Sequence, residues 1–184
     1  MMMTPVDNEE VRLRQVVTRR TQQLPQDLYS MTNPGQLYML QERERRVLSL
    51  LRKNRSAILS TGRILDVGCG TGLWIRDLIR WGVNPARIAG VELLRERASE
   101  ARRLCPAEVS IFCGNATTLA FPEHTFDLVI QSTVFTSILT REVQQDLARE
   151  MLRVLKPDGF ILWYDFHMNN PGNADVRGVT SHEI

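Results

Sequence analysis

The feature that most constrains this chain is a single junction. Ile64-Leu65-Asp66-Val67, three apolar residues around one acid, runs directly into Gly68-Cys69-Gly70-Thr71-Gly72. An amphipathic stretch follows, with Trp74, Ile75, Leu78 and Ile79 at helical spacing, and Gly82 stands where a helix-terminating glycine belongs. A strand that stops at a glycine turn and resumes as a helix opens a β–α–β unit. The alternation then repeats. Strands are predicted over 87–92, 109–113, 126–131 and 160–166. Leu94, Ala98, Ala101 and Leu104 mark one intervening helix, and Val143, Leu147, Met151, Val154 and Leu155 another, closed by Lys156-Pro157-Asp158-Gly159. Near-continuous apolar strands separated by amphipathic helices predict a mainly parallel sheet covered on both faces, a doubly wound α/β domain over residues 61–184. Trp74 and Trp81 read as core residues of the first crossover helix.

Residues 1–60 have another character. A mostly polar helix is expected over 8–22, with Asp7 or Asn8 as its cap and a break at Leu24-Pro25. Asn33 as cap and Pro34 at the first helical position open a second helix over about 34–54, with Leu37, Leu40, Val47, Leu48 and Leu51 on one face. Its charge run, Gln41 to Arg46, reads as a solvated face with Glu42 and Arg46 paired at i,i+4. This helical segment is expected to act as a lid. At 184 residues, 43% hydrophobic and 24% charged, the chain is long and apolar enough for one well-formed core and unlike a disordered or disulfide-stapled sequence. A net charge of +2 is too small to argue for a nucleic-acid partner, and none is expected. No stretch is apolar enough to span a bilayer, and the first residues lack the pattern of a signal peptide. Cys69, Cys105 and Cys113 are odd in number and lack metal-ligand spacing, so no metal site is expected and a reducing, cytoplasmic setting is.

In such a sheet, ligands bind beyond the carboxyl ends of the strands, beside the first one. Glycines there let backbone approach a ligand, and the next helix offers N–H groups. A nicotinamide or flavin dinucleotide fingerprint needs glycines at relative positions 1, 3 and 6. Gly68 and Gly70 match, but position 6 is Leu73. Glu92 ends the second strand, 92 − 68 = 24 positions on, where an acid binds ribose hydroxyls. The acid points to a nucleoside, while the glycine spacing argues against a pyrophosphate.

These residues resemble the class I S-adenosylmethionine-dependent methyltransferases, in their small-molecule, type-11-like branch. Ile64 to Gly72 is similar to the family's first motif. Gly90-Val91-Glu92, Gly114-Asn115-Ala116 with Leu119-Ala120-Phe121-Pro122, Phe126-Asp127-Leu128-Val129, and Val154-Leu155-Lys156-Pro157-Asp158-Gly159 follow in order. Asp158 replaces the usual glycine of the last motif and is expected to alter only a surface turn. The resemblance covers about residues 60–166. It implies that Asp66 and the turn at Gly68, Cys69 and Gly70 hold the methionine end of S-adenosylmethionine, the Cys69 thiol itself being structural. It further implies that Glu92 accepts both ribose hydroxyls and that Leu93 packs on the adenine. Asn115 Oδ1 accepts from the adenine amino group, Ala116 offers a backbone N–H, and Gln131 and Ser132 lie beside the methionine portion.

Methyl transfer from a sulfonium chiefly needs alignment, with a base only for a hydroxyl or protonated amine acceptor. Candidates for such a group are Tyr38, Asp165 and His167, with Tyr29 and Tyr164 nearby. Gln131-Ser132-Thr133-Val134 lacks the Asn/Asp-Pro-Pro-aromatic motif of base-amine methylases, and no cysteine near that strand suits cytosine-carbon methylation. A small-molecule or glycan-type acceptor is therefore expected. The alternatives are a non-catalytic cofactor-binding or assembly module and a nicotinamide-dependent oxidoreductase. The family's usual last helix and antiparallel strand pair have no counterpart after Phe166, where Thr180 and Glu183 have only the form of a capping box. The expectation is a truncated sheet whose fifth strand is an open edge, with a homodimer as one outcome.

Overall fold

A computed structural model describes residues 4–23, 25, 27–54, 57–180, 182 and 183. Five strands form one all-parallel sheet in the order β3-β2-β1-β4-β5: β1 Ile64–Val67, β2 Ile88–Glu92, β3 Ser110–Cys113, β4 Phe126–Ser132 and β5 Leu155–Tyr164. This is the doubly wound arrangement that the alternation predicts, reversing direction beside β1. Among the described residues, six α-helices surround it: α1 Pro5–Gln23, α2 Pro34–Asn54, α3 Ala57–Thr61, α4 Leu73–Arg80, α5 Arg95–Leu104 and α6 Arg141–Val154. Every residue of β1 and β2 is buried, which is why both strands read as unbroken apolar runs.

Alternation along β1 sorts the two cores. Ile64 joins α2, α4 and α5 through Val47, Leu51, Trp74, Ile75, Leu78, Ala98 and Ala101. Leu65 and Val67 face α6 through Val143, Leu147, Met151 and Val154, with Val6 and Leu13 of α1 packed at the margin. Period two places Asp66 on the side of Ile64, towards α2 and α4.

Local chemistry sets the helix ends. Asn33 Oδ1 accepts from the Gly35 and Gln36 N–H groups, opening α2 as expected. Gly82, at φ +100°, closes α4 with the Val83 N–H on Leu78 O. α1 starts three residues earlier than the caps predicted. Thr4 Oγ1 accepts from the Asp7 N–H while Asp7 Oδ2 accepts from the Thr4 N–H, so Asp7 is the far partner of a capping box rather than the cap. Leu24 of the expected Leu24-Pro25 break lies outside the described residues.

Three differences from expectation have tertiary causes. Residues 156–159 do not merely close α6. Phe126 pairs with Leu155 and Leu128 with Phe160, so they bulge out of β5, and Lys156 Nζ is held 2.9 Å from both oxygens of Asp127. The charge run of α2 is only partly solvated. Glu42 pairs with Arg45 and Arg46, but Arg43 binds Asp77 at 2.7 Å and Glu44 accepts from Trp81 Nε1. α3, too short to show a period, brings the chain into β1.

Gly90 is a packing requirement. A Cβ there would stand 2.9 Å from both Cys69 Sγ and Ile75 Cδ1, the latter fully buried. Gly90→Ala should therefore destabilise by about 1–3 kcal/mol in denaturant titration. Gly114→Ala, whose Cβ meets nothing within 4 Å, should stay within about 0.5 kcal/mol.

Candidate functional site

The carboxyl ends of β1, β2 and β4 carry a buried polar row of Asp66, Glu92 and Gln131, at 1%, 4% and 0% exposure. Three consecutive N–H groups of the glycine turn point back at β2. Those of Gly68 and Cys69 donate to Val91 O at 2.8 and 3.0 Å, and that of Gly70 donates to Glu92 Oε2 at 2.8 Å. β2 thus takes all three. The turn still offers bare backbone, with Gly68, Gly70 and Gly72 all in the left-handed region at φ +68°, +57° and +79°. A Cβ at Gly68 would meet Val134 Cγ2 at 2.5 Å, and one at Gly70 the Arg97 guanidinium at 2.5 Å.

Glu92 also accepts from the Leu94 N–H at 2.9 Å through Oε1, so it ties the turn to the start of α5. Leu93 is half-buried, and its carbonyl accepts from Arg14 Nη2 of α1. The Cys69 thiol is buried and pushed up by that burial and by the Asp66 and Glu92 charges, so it is inert, as its surroundings predict.

Asp66 is the anomaly. Its Oδ2 has no hydrogen-bond partner although the residue is buried. Burial, and then the negative charge of Glu92, push its carboxyl up to about 8, against the pull of Arg43. Buried polar atoms are almost always satisfied, so an unpaired carboxylate oxygen beside a glycine turn is open to a cationic ligand group.

Several expected site residues already have hydrogen-bond partners within the chain. Asn115 Oδ1 accepts from both the N–H and the Oγ1 of Thr117 at 3.0 Å, which uses both lone pairs and leaves none for an adenine amino group. Gln131 is equally committed, donating from Nε2 to Asp165 Oδ2 at 2.8 Å and accepting the Val134 N–H. Asp165 is not placed as a base. Its carboxylate binds Gln131 and the Thr136 N–H and Oγ1, and burial raises its pKa while those bonds oppose the rise. It fixes the loop after β4 rather than facing a substrate. His167 lies beyond the end of β5 and is exposed. Ser132 pairs with Tyr164 in the sheet, and Thr133 follows at φ +59°, a strained position for a β-branched residue. Ala116 packs at the edge of the second core.

Tyr38, Met39 and Arg43 of α2 line a cavity of about 280 Å³ with Leu162, Trp163 and Tyr164 of β5. α1 bridges the loops on either side of β1. Besides the Arg14 contact, Glu9 accepts from the Leu139 N–H at 2.7 Å and Thr140 Oγ1 at 3.1 Å, and Arg12 Nη2 donates to Ser137 O. Glu9, Arg12 and Arg43 escaped the sequence reading. For Arg43 a signal existed, since it lies three residues after Leu40 and four before Val47, on their apolar face.

Comparison with known proteins agrees with this geometry. The family model for a methyltransferase domain matches residues 64–159. A tRNA N(3)-cytidine methyltransferase of Mus musculus is 27% identical over 115 residues, covering 58% of this chain and 29% of that one. The 2-methyl-6-phytyl-1,4-hydroquinone methyltransferase of Synechocystis sp. is 30% identical over 110 residues, covering 58% and 33%. The chain therefore spans about a third of the length of these relatives. The crystal structure of the PH0226 protein of Pyrococcus horikoshii OT3 superposes with a TM-score of 0.61 at 25% identity, covering 77% of this chain and 60% of that one. Sheet order, glycine turn, strand-end acid and the family match agree, and the chain belongs to the methyltransferase domain family, the class I methyltransferases whose cofactor is S-adenosylmethionine.

Proposed function

We propose that this chain binds S-adenosylmethionine over the carboxyl ends of β1 and β2 and aligns it for in-line methyl transfer to a small-molecule acceptor. The observation that carries this reading is Asp66, whose buried Oδ2 lacks any partner. The ammonium of the cofactor's methionine end satisfies it, with the bare backbone at Gly68 and Gly70 alongside. Glu92 meets the ribose hydroxyls with the lone pairs left by Gly70 and Leu94, Leu93 packs on the adenine, and the Ala116 N–H faces the ring. Asn115 and Gln131 serve by fixing their loops. When bound, S-adenosylmethionine supplies a methyl group already activated by its sulfonium. The chain's own work is to orient the partners and keep water out.

The acceptor side is supported by the cavity between α2 and β5, whose apolar and aromatic lining suits a compact organic molecule. The relative named for a hydroquinone acceptor is in keeping with that class. Tyr164 lines this cavity, and so does the base candidate Tyr38. Its 65% exposure leaves the phenol free to meet an acceptor. α1, held at the loops after β2 and β4, acts as the lid. β5 is an edge strand of the sheet, and pairing of two copies along it is the association we expect.

The direct test is calorimetry with S-adenosylhomocysteine and with NAD, followed by transfer of labelled methyl groups to a panel of phenolic and quinol acceptors. Binding of S-adenosylhomocysteine alone and label in a small acceptor are expected. NAD binding would overturn the reading.

Asp66 also gives a pH signature. The unfolded carboxyl releases its proton near 4, whereas the folded one holds it to about 8, so the unliganded protein should lose stability as pH rises between these values. Melting curves should show that fall in the wild type and a flatter profile in Asp66→Asn, which is more stable at pH 8. The same variant should lose about tenfold or more in S-adenosylhomocysteine affinity. Arg14→Ala, which frees α1 from Leu93, should speed S-adenosylhomocysteine release in stopped flow by about threefold to tenfold, with little change in melting temperature. Light scattering across a concentration series should show a dimer, and a monomer throughout would refute pairing along β5.

A further inference from the structure

The inward stripe of α1 carries two charged residues, and only one of them is satisfied. Val6, Glu9, Leu13, Val16 and Arg20 recur at steps of three and four, with Glu9 and Val16 buried and the others half-buried. Glu9 is met by Arg12, the Leu139 N–H and Thr140 Oγ1. Arg20 has no such company: its Nη2 is buried and lacks a hydrogen-bond partner. The acid that faces it is Asp175, in the tail after β5, and Asp175 is already paired with Arg19 at 2.5 Å. That Arg19 hydrogen bond, and after it the charges of Arg19, Arg20 and Arg12, hold the Asp175 carboxyl below the usual carboxylate range. Arg12 is balanced by Glu9 and Arg19 by Asp175, which leaves the charge of Arg20 over. The place matters as much as the charge. α1 lies across the carboxyl ends of the strands, bonded to Leu93 after β2 and to Leu139 and Thr140 after β4. The tail closes on the same loop, with the Arg177 N–H donating to Thr136 O and Val179 buried. The junction of α1 with the tail therefore borders the site, and a cation partly stripped of water there is complemented by an anion.

We propose that Arg20 selects an acceptor that carries a carboxylate, taking that group through its open Nη2 where α1 meets the tail. The proposal rests on the methyltransferase reading above and narrows the acceptor from a small molecule to a small-molecule acid. The residue lies outside the matched family region, which begins at residue 64. One surplus positive charge matches one carboxylate, whereas a phosphate dianion would leave the junction net negative. Arginine suits the position because its guanidinium is weakly hydrated and tolerates partial burial, and its planar donors fit a carboxylate. Arg19 holds the Asp175 side chain and Arg12 its carbonyl, so the acid of the tail is kept from filling the same place.

The test uses probe pairs that differ only in this charge: 4-hydroxybenzoate against 4-hydroxybenzamide, and octanoate against octanamide. Calorimetry is run on the protein alone and on the protein saturated with S-adenosylhomocysteine. The wild type should bind at least one acid about tenfold or more tighter than its amide. Arg20→Met should remove that preference while leaving the amide within about twofold. Arg20→Lys, which keeps the charge, should retain a preference of about threefold or more and guards against misfolding of the first variant. Loss of acid and amide alike in both variants would show a merely structural arginine. No preference for the acid in either pair, whether through equal binding or none, would likewise overturn the proposal. So would inorganic phosphate bound by the wild type as tightly as the preferred acid, which would mark a site for free phosphate. The same titrations separate the two readings. Failure of S-adenosylhomocysteine to bind refutes the methyltransferase reading, whereas its binding without any acid preference refutes the role of Arg20 alone.

Discussion

The Glu92 carboxylate, between the Gly70 and Leu94 N–H groups, is the contact on which the rest of the site depends. A parallel sheet delivers its strand ends side by side, but it does not fix the loops that follow. One buried charge with a donor from each of two loops does so, and charge-assisted bonds of this kind are roughly twice as strong as neutral ones. With Gly68 and Cys69 also bonded to Val91 O, the glycine turn is clamped to β2. That clamp leaves the turn's bare face, rather than its N–H groups, as what a ligand meets.

Asp66 stands in contrast. Glu92 satisfies itself within the protein, whereas Asp66 is buried with an open oxygen and a pKa raised to about 8. Such a group weakens the unliganded fold, and a protein optimised for stability alone would carry an amide or an apolar residue there. Its cost to the fold makes sense only with a cationic ligand, which turns an unfavourable burial into a specific contact. The two carboxylates lie on neighbouring strands, yet one bonds through both oxygens within the chain and the other keeps an oxygen open.

The N-terminal helices complete the site from opposite sides. α1 ties the loops after β2 and β4 together through Arg14, Glu9 and Arg12. α2 packs beside α4 through Arg43 and Glu44. In α1 the planar forks of Arg12 and Arg14 each hold two partners at once. The methyltransferase sheet is thus covered by elements that the family model, matched over 64–159, does not include.

The sequence by itself determined the sheet and its cofactor turn. Strand periodicity, the spacing of Gly68, Gly70 and Gly72, the acid at Glu92 and the caps Asn33 and Gly82 are local signals, each enforced by backbone geometry within a few residues. It misplaced what depends on distant partners. Asp165 is chemically suited to a ligand, but Gln131 and Thr136 reach it first. The bulge at residues 156–159 follows from the pairing of Phe126 and Leu128 with β5. Arg43 lies in a charge run that reads as a solvated face, its spacing to Leu40 and Val47 the one local sign of burial, and α4 brings Asp77 and Trp74 against it. Hydrogen-bond competition and burial are properties of the packed chain, and only the tertiary structure decided which polar residues were left free to bind.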